Sequence, residues 1–363
     1  MGKYKICVYA ICKDEIKFVD RWIESMSEAD YICVLDTGST DGTYERLKES
    51  GIITKQKIIK PWRFDVARNE SMKLIPTDTG ICICTDLDEL FEPGWRKLFD
   101  MYWTDNTKQA SYRYTWNFNP DGSEGHVFYS EKAHSYGEFC WTHPVHEVLS
   151  YTGSEPLIKR VVPGVQLNHY ADETKPRSQY LPLLEMSVRE APDDDRNMHY
   201  LGREYMFYRQ WDKCIETLER HLNMPRAVWK DERCASMRFI SRALMAKGDE
   251  KEAFNWLLKA IAEAPHLREP YMEAANLMYK QKNWYGVIFF CEQALKVTEK
   301  NLSYICEPFA WGSRVYDLLA IAYYQTKNYE KSLENARKAY EKEPGDIRLK
   351  ENLSLIEKLY KND

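Results

Sequence analysis

Residues 244–294 read LMAKGDEKEAFNWLLKAIAEAPHLREPYMEAANLMYKQKNWYGVIFFCEQA. Leu244 recurs as Met278, Ala253 as Val287 and Ala260 as Ala294, each 34 residues on. Apolar residues within each copy follow helical spacing. Small residues at fixed places let paired helices approach closely, and large aromatics fill the spaces beside them. An earlier copy fits Gly202, Tyr205, Trp211 and Cys214. A later one fits Ala320, Tyr323, Tyr329, Ser332, Ala339 and Pro344. The intervals are uneven: Cys214 to Ala253 is 39 residues and Ala294 to Ala339 is 45. The first predicts a longer loop, the second an insertion near Asn301 to Pro308. A plain helical bundle would need no fixed period.

Period, helix pairs and small/large alternation resemble tetratricopeptide repeats, roughly four of them. Solenoids of this kind offer concave surfaces to peptides and proteins. The resemblance therefore predicts presentation of an acceptor, or a homodimer formed through the repeats, with a plain structural buttress as the alternative. The helical pattern runs from about Pro176 to the end of the sequence.

The preceding half alternates short apolar runs with helical spacing. Lys5 to Ile11 and Tyr31 to Leu35 are strand-like, as are Lys57 to Ile59 and Gly80 to Thr85. Asp14 to Met26, Thr43 to Glu49 and Phe64 to Leu74 have helical character. Strands separated by helices predict a mostly parallel, Rossmann-like sheet with ligands at its carboxyl edge. Tyr112 to Phe118, Val127 to Tyr129, Val145 to Tyr151 and Gly164 to Asn168 read as further strands and loops of the same domain. The expected organisation is an α/β domain over residues 1–190 and an all-α repeat domain over 191–363.

Composition narrows the classes. The 363 residues include 25 Tyr, 13 Phe and 11 Trp, too many aromatics for a disordered chain. A net charge of −5 excludes a broadly basic nucleic-acid binder. No apolar run is long enough to span a membrane. The opening MGKYKICV has no signal-peptide pattern, which predicts a cytoplasmic location and reduced thiols for the ten cysteines. No CxxC pair suggests a zinc module, so core packing is their expected role.

Three segments carry chemistry. In Thr85-Asp86-Leu87-Asp88-Glu89, two carboxylates follow a buried strand, and carboxylate oxygens suit Mg²⁺ or Mn²⁺. Taken alone, this common motif fits a surface turn opening a helix better than a metal site. In VLDTGSTDGT (34–43), Asp36 ends a strand where a base or ribose could be met, while Ser39 and Asp41 suit helix capping. In WRFDVARNE (62–70), the Arg68 fork matches phosphate oxygens, or begins a helix as a solvated side chain. Trp116, Tyr136 and Trp141 could stack on a sugar, though aromatics at this density usually pack a core.

Together with ICKDE (11–15), these segments in this order resemble the nucleotide-sugar half of a family 2 glycosyltransferase of GT-A fold. The resemblance covers roughly residues 4 to 190. Some members of that family also carry tetratricopeptide repeats, among them peptide S-glycosyltransferases. It implies a nucleotide-sugar donor, a UDP-sugar by preference, and a peptide, protein or glycan acceptor. Cys12, Lys13, Glu15, Asp36, Asp65, Arg68 and Asp86 would line the donor pocket. Asp88 and His169 would hold Mn²⁺ or Mg²⁺, and direct displacement would invert the anomeric carbon. His146 stands where the family has the first acid of a catalytic pair, which leaves Glu147 as the implied general base. The competing expectation is a non-enzymatic adaptor, whose repeats bind a protein partner beside a degenerate transferase domain.

Overall fold

A computed structural model describes residues 2–119, 121–172 and 180–360. The chain divides into two compact units, Met1–Arg189 and Glu190–Asp363. Pro176, where the helical half was expected to begin, lies outside the described residues.

The first unit runs β1 (Ile6–Cys12), α1 (Ile16–Met26), β2 (Tyr31–Asp36), α2 (Thr43–Glu49), β3 (Ile53–Gln56), α3 (Phe64–Met72), β4 (Ile81–Thr85), β5 (Glu89–Phe91) and α4 (Trp95–Tyr102). It continues with β6 (Gln109–Thr115), β7 (Val127–Ser135), β8 (Phe139–Thr142), β9 (Val148–Tyr151), β10 (Lys159–His169) and α5 (Tyr180–Glu190). Eight strands form one sheet in the order β3-β2-β1-β4-β7-β6-β10-β5, and β8 pairs with β9 separately. The sheet is mixed. The β1–β2, β1–β4, β2–β3 and β6–β10 pairs are parallel, whereas β7 lies antiparallel between β4 and β6. The expected strand at Lys57 to Ile59 falls earlier, at β3, whose pairing with β2 ends where Asp36 meets Gln56.

Every residue of β1 and of β4 is buried, as strands covered on both faces require. Alternation sorts their side chains. Ile6, Val8 and Ala10 pack with Val19, Trp22 and Met26 of α1 and with Trp95 and Phe99 of α4. Cys7, Tyr9, Cys82 and Cys84 face the opposite way, against Phe139, Trp141 and Leu149. All ten cysteines are free thiols, and only Cys140 is not buried.

The second unit consists of α6 (Asp195–Phe207), α7 (Trp211–Leu222), α8 (Lys230–Lys247), α9 (Glu250–Glu263), α10 (Glu269–Lys280), α11 (Trp284–Lys296), α12 (Arg314–Gln325), α13 (Tyr329–Lys342) and α14 (Ile347–Tyr360). Ala253, Ala260, Val287 and Ala294, the positions that repeat in the sequence, are completely buried. The expected insertion is a segment with only a 3-10 turn, Pro308–Ala310, between α11 and α12. It is anchored by Glu307, which pairs with the buried Arg238 and with Arg242 at 2.8 Å. Asp194, Asp249, Asn283 and Asn328 cap α6, α9, α11 and α13 by accepting a backbone N–H three residues on.

Gly202 shows why the repeat wants a small residue. A Cβ there would stand 2.4 Å from Cγ and Cδ2 of Leu218, which is wholly buried. Gly202→Ala should therefore cost about 1–3 kcal/mol by overpacking. That outweighs the ~1 kcal/mol that alanine gains over glycine in a helix. The check is the denaturant midpoint, which should fall with an unchanged slope.

Candidate functional site

The carboxyl ends of β1, β2, β4 and β10 lie along one edge of the sheet and deliver Cys12, Asp36, Asp86 and His169 there. Asp88 belongs to the turn between β4 and β5, and Glu147 to the loop joining β8 and β9. Asp65 and Arg68 occupy successive turns of α3. The residues singled out in the sequence thus gather at one edge, but their partners differ from expectation.

Asp36 is fully buried. Its Oδ1 accepts hydrogen bonds from the Gly38 and Ser39 N–H groups at 2.9 and 3.0 Å and from Gln56 Nε2 at 2.9 Å. The Cys12 thiol donates to Oδ2 at 3.4 Å. Burial would raise its pKa, but the hydrogen bonds from Ser39, Gln56 and Gly38 prevail and hold it below the usual carboxylate value. These bonds shape the 36–42 loop. Lys13 is exposed in the bend after β1, and the buried Glu15 ties that bend to α2 through its N–H and Thr43 Oγ1 at 2.8 Å. Asp65 forms a two-pronged pair with Arg63, at 3.0 and 2.9 Å.

Arg68 is buried rather than solvated. Its guanidinium is buried, with Nε donating to Glu147 Oε1, Nη2 to Asp86 Oδ1 at 2.9 Å and Nη1 to Cys84 Sγ at 3.1 Å. It also lies 5.2 Å from the centre of the Trp141 ring. Three groups in this network escaped the sequence reading. Lys132 lies 3.4 Å from Asp86 and 3.1 Å from Glu89, and Tyr114 donates to Glu89 at 2.8 Å. Burial works against the charge on Asp86, but Arg68 and Lys132 overcome it and hold its pKa far below the ordinary value. Burial prevails at Glu89 and raises its pKa. The available signal was Glu89 itself, a third acid directly after the Asp-x-Asp.

His169 and Asp88 form a second group. His169 Nε2 lies 3.3 Å from Asp88 Oδ2, while Nδ1 meets the Trp116 carbonyl at 2.7 Å. A carbonyl only accepts, so Nδ1 carries the hydrogen. The Nε2 lone pair then faces a carboxylate unless a proton or a cation stands between them. Without a cation, burial lowers the His169 pKa, but Asp88, then Glu89 and the Trp116 carbonyl, raise it to about 9. The donor set of one imidazole and one carboxylate fits a divalent ion. Half-exposed Trp116 packs against His169 with ring centres 4.7 Å apart and planes tilted by 31°, while Trp141 is core, its indole N–H bonded to Tyr9.

Residues 269–362 match the family model of the prolyl 4-hydroxylase peptide-substrate-binding domain, a tetratricopeptide-type domain. No curated protein matches the chain. Among solved structures, Pseudomonas aeruginosa PilF is similar at a TM-score of 0.38 and 10% identity, covering 47% of this chain and 70% of its own. The MamA protein has a TM-score of 0.36 and 16% identity, over 46% and 82% of the two chains. A thermophilic tetratricopeptide protein of Thermus thermophilus has a TM-score of 0.35 and 16% identity, over 48% and 88%. The expected membership of glycosyltransferase family 2 is corrected by the family-model match, which falls on a tetratricopeptide-type domain and not on that family. The chain combines a mixed-sheet unit with a tetratricopeptide-like helical unit. Among the described residues, no helix is long and apolar enough to cross a membrane.

Proposed function

We propose that the sheet unit is a divalent-cation-dependent transferase acting on a nucleoside-diphosphate sugar, and that the repeat unit engages the polypeptide it serves. The observation that carries the first half is the Asp88–His169 pair, with His169 fixed through Nδ1 by the Trp116 carbonyl. A divalent ion held there would neutralise the charge that builds on a departing diphosphate. Arg68 and Lys132 hold Asp86 as a carboxylate beside that pair. Trp116 offers an exposed ring face against which a sugar can lie. The polypeptide half is supported by the match to a peptide-substrate-binding domain and by the helix pairs of the second unit.

A second reading has its own support. Glu147, the candidate base, already accepts a hydrogen bond from Arg68. A base so engaged suits an adaptor that has kept the shape of a transferase and lost its turnover.

Thermal unfolding and donor hydrolysis across a panel of nucleotide sugars, with Mn²⁺, Mg²⁺ or chelator, decide between them. The proposal expects one donor to stabilise the chain in the presence of metal. A ligand at 100 times its Kd contributes about 2.7 kcal/mol. Asp88→Asn should abolish that stabilisation. Indifference to every donor, with and without metal, would favour the adaptor.

A further inference from the structure

The first helices of successive pairs, α6, α8, α10 and α12, neighbour one another and form one face of the second unit. The segment between α11 and α12 lies across that face. Asn301 donates to Asp231 at 2.7 Å, and the Tyr304 hydroxyl donates to Glu232. The Tyr304 ring stacks on Tyr200 of α6, with centres 5.6 Å apart and planes tilted by 22°, and meets the Trp229 ring edge-on. Glu307 accepts from Arg238 and Arg242 of α8. Trp311 donates to Glu269 of α10 at 3.1 Å, and its ring lies 4.1 Å from the Arg268 guanidinium. Ile305, Cys306 and Ala310, between these anchors, are buried.

An ion pair alone is an ordinary way to pin a loop. Two further features make this segment resemble a seated ligand. The first is how it is held. Its backbone bonds are local, from the Ser303 N–H to the Asn301 carbonyl and from the Cys306 N–H to the Ser303 carbonyl. It reaches the helices through side chains, apart from the Glu307 N–H, which donates to the Glu269 carboxylate at 3.0 Å. Lifting it therefore breaks few backbone bonds, the mark of a segment that opens without global unfolding. The second is what it would leave behind. Arg238 Nε and Arg242 Nη2 both donate to Glu273, at 2.7 and 2.6 Å. With Glu307 gone, two guanidinium groups would share one carboxylate, with the Phe239 ring 5.1 Å from Arg242. The face keeps a partner for each arginine and gains an excess positive charge, which calls for another acid.

We propose that residues 301–311 are a built-in ligand of this face, and that a polypeptide engaged by the repeats takes their place. The partner is a segment with an aromatic residue followed three positions on by an acid. That is the pattern in which Tyr304 meets Tyr200 and Glu307 meets Arg238 and Arg242. The inference rests on the polypeptide half of the proposed function and on nothing in the sheet unit. A partner competes with a tethered rival, whose effective concentration over so short a tether is about millimolar. Only a partner that binds tightly, or is held nearby at high concentration, then gains the face.

Cys306 reports the lifting, because it sits in the segment and is buried while the segment is seated. The test labels the unmodified full chain with N-ethylmaleimide under native conditions and follows each cysteine by mass spectrometry. Cys306 should react before Cys214, Cys234 and Cys291, which are buried in α7, α8 and α11. A synthetic peptide of residues 300–312 carrying Cys306→Ser, at ~1 mM, should speed Cys306 labelling at least ~5-fold, since it then matches the tethered rival. Labelling of the three helix cysteines should not change. The same peptide with Glu307→Gln should lose most of the effect. If Cys306 reacts no sooner than the helix cysteines, the segment is a fixed part of the fold and the proposal falls, while the polypeptide reading keeps the rest of the repeats. If Cys306 opens early but ignores the peptide, the proposal falls and this face is lost to the polypeptide reading as well. A Glu307→Gln peptide as effective as its parent overturns the role of the two arginines.

Discussion

Replacing Arg68 with alanine should lower the stability of the sheet unit by about 3–5 kcal/mol, the usual result of removing one partner from a buried ion pair. Arg68 is 4% exposed and lies between Asp86 and Glu147, whose side chain is 12% exposed. After truncation both carboxylates remain, with Lys132 beside Asp86. Arg68→Met should restore much of the volume against Trp141 without restoring the charge, so its loss should stay close to that of alanine. The pH dependence gives a second readout. In the parent, Asp86 has a folded pKa below its unfolded value, so its stabilisation holds above the unfolded pKa and is lost on acidification. In the variant only Lys132 is left to oppose burial, so the folded pKa rises from its parent value. The deficit relative to the parent should therefore be largest at neutral pH and shrink as pH falls through ~4, the unperturbed carboxylate range, toward the depressed folded pKa of the parent. Urea unfolding at several pH values measures this. A loss under ~1 kcal/mol, independent of pH, would mean that the network is open to water.

The repeat half was readable because its signal is periodic. Ala253 with Val287 and Ala260 with Ala294 mark buried contacts between paired helices, and both pairs are completely buried. The insertion was readable as an excess of residues between copies, but its anchor was not. Glu307 reaches Arg238, 69 residues earlier, and no local pattern announces such a pair. In the sheet half, β1, β2 and β4 stand out as apolar runs. Strand β5 does not, since it is three residues long and begins with the buried Glu89. The candidate site was legible as residue types and not as pairings. Arg68 reads equally well as a phosphate ligand or a solvated side chain until α3 turns it inward onto Asp86 and Glu147. Asp36 reads as a ligand contact, and no local pattern shows that its Oδ1 accepts from its own loop and from Gln56. Family membership was misjudged for a related reason. Short acidic and loop motifs are compatible with many chains, whereas a repeat sustained over four helix pairs is not.

Glu147→Gln should separate a base role for Glu147 from a purely ion-pairing one by the largest margin. The substitution keeps the shape of the side chain, and its amide oxygen can still accept the hydrogen bond from Arg68 Nε. Donor binding should therefore survive, with its metal dependence intact. What the amide cannot do is take a proton from an incoming acceptor. If Glu147 parts from Arg68 when the acceptor arrives and acts as the base, turnover should fall about 10²–10⁴-fold. The acidic limb of the pH–rate profile should disappear with it. An ion-pair role alone predicts the reverse. Glutamine would then remove one charge from the Arg68 pair and lower the melting temperature, while turnover and its acidic limb stayed as in the parent. Single-turnover rates across pH, measured beside the melting curve, distinguish the two because only the first role moves a proton. Asp86 still pairs with Arg68 in this variant, so the guanidinium keeps a counter-charge and the fold should persist long enough for both measurements.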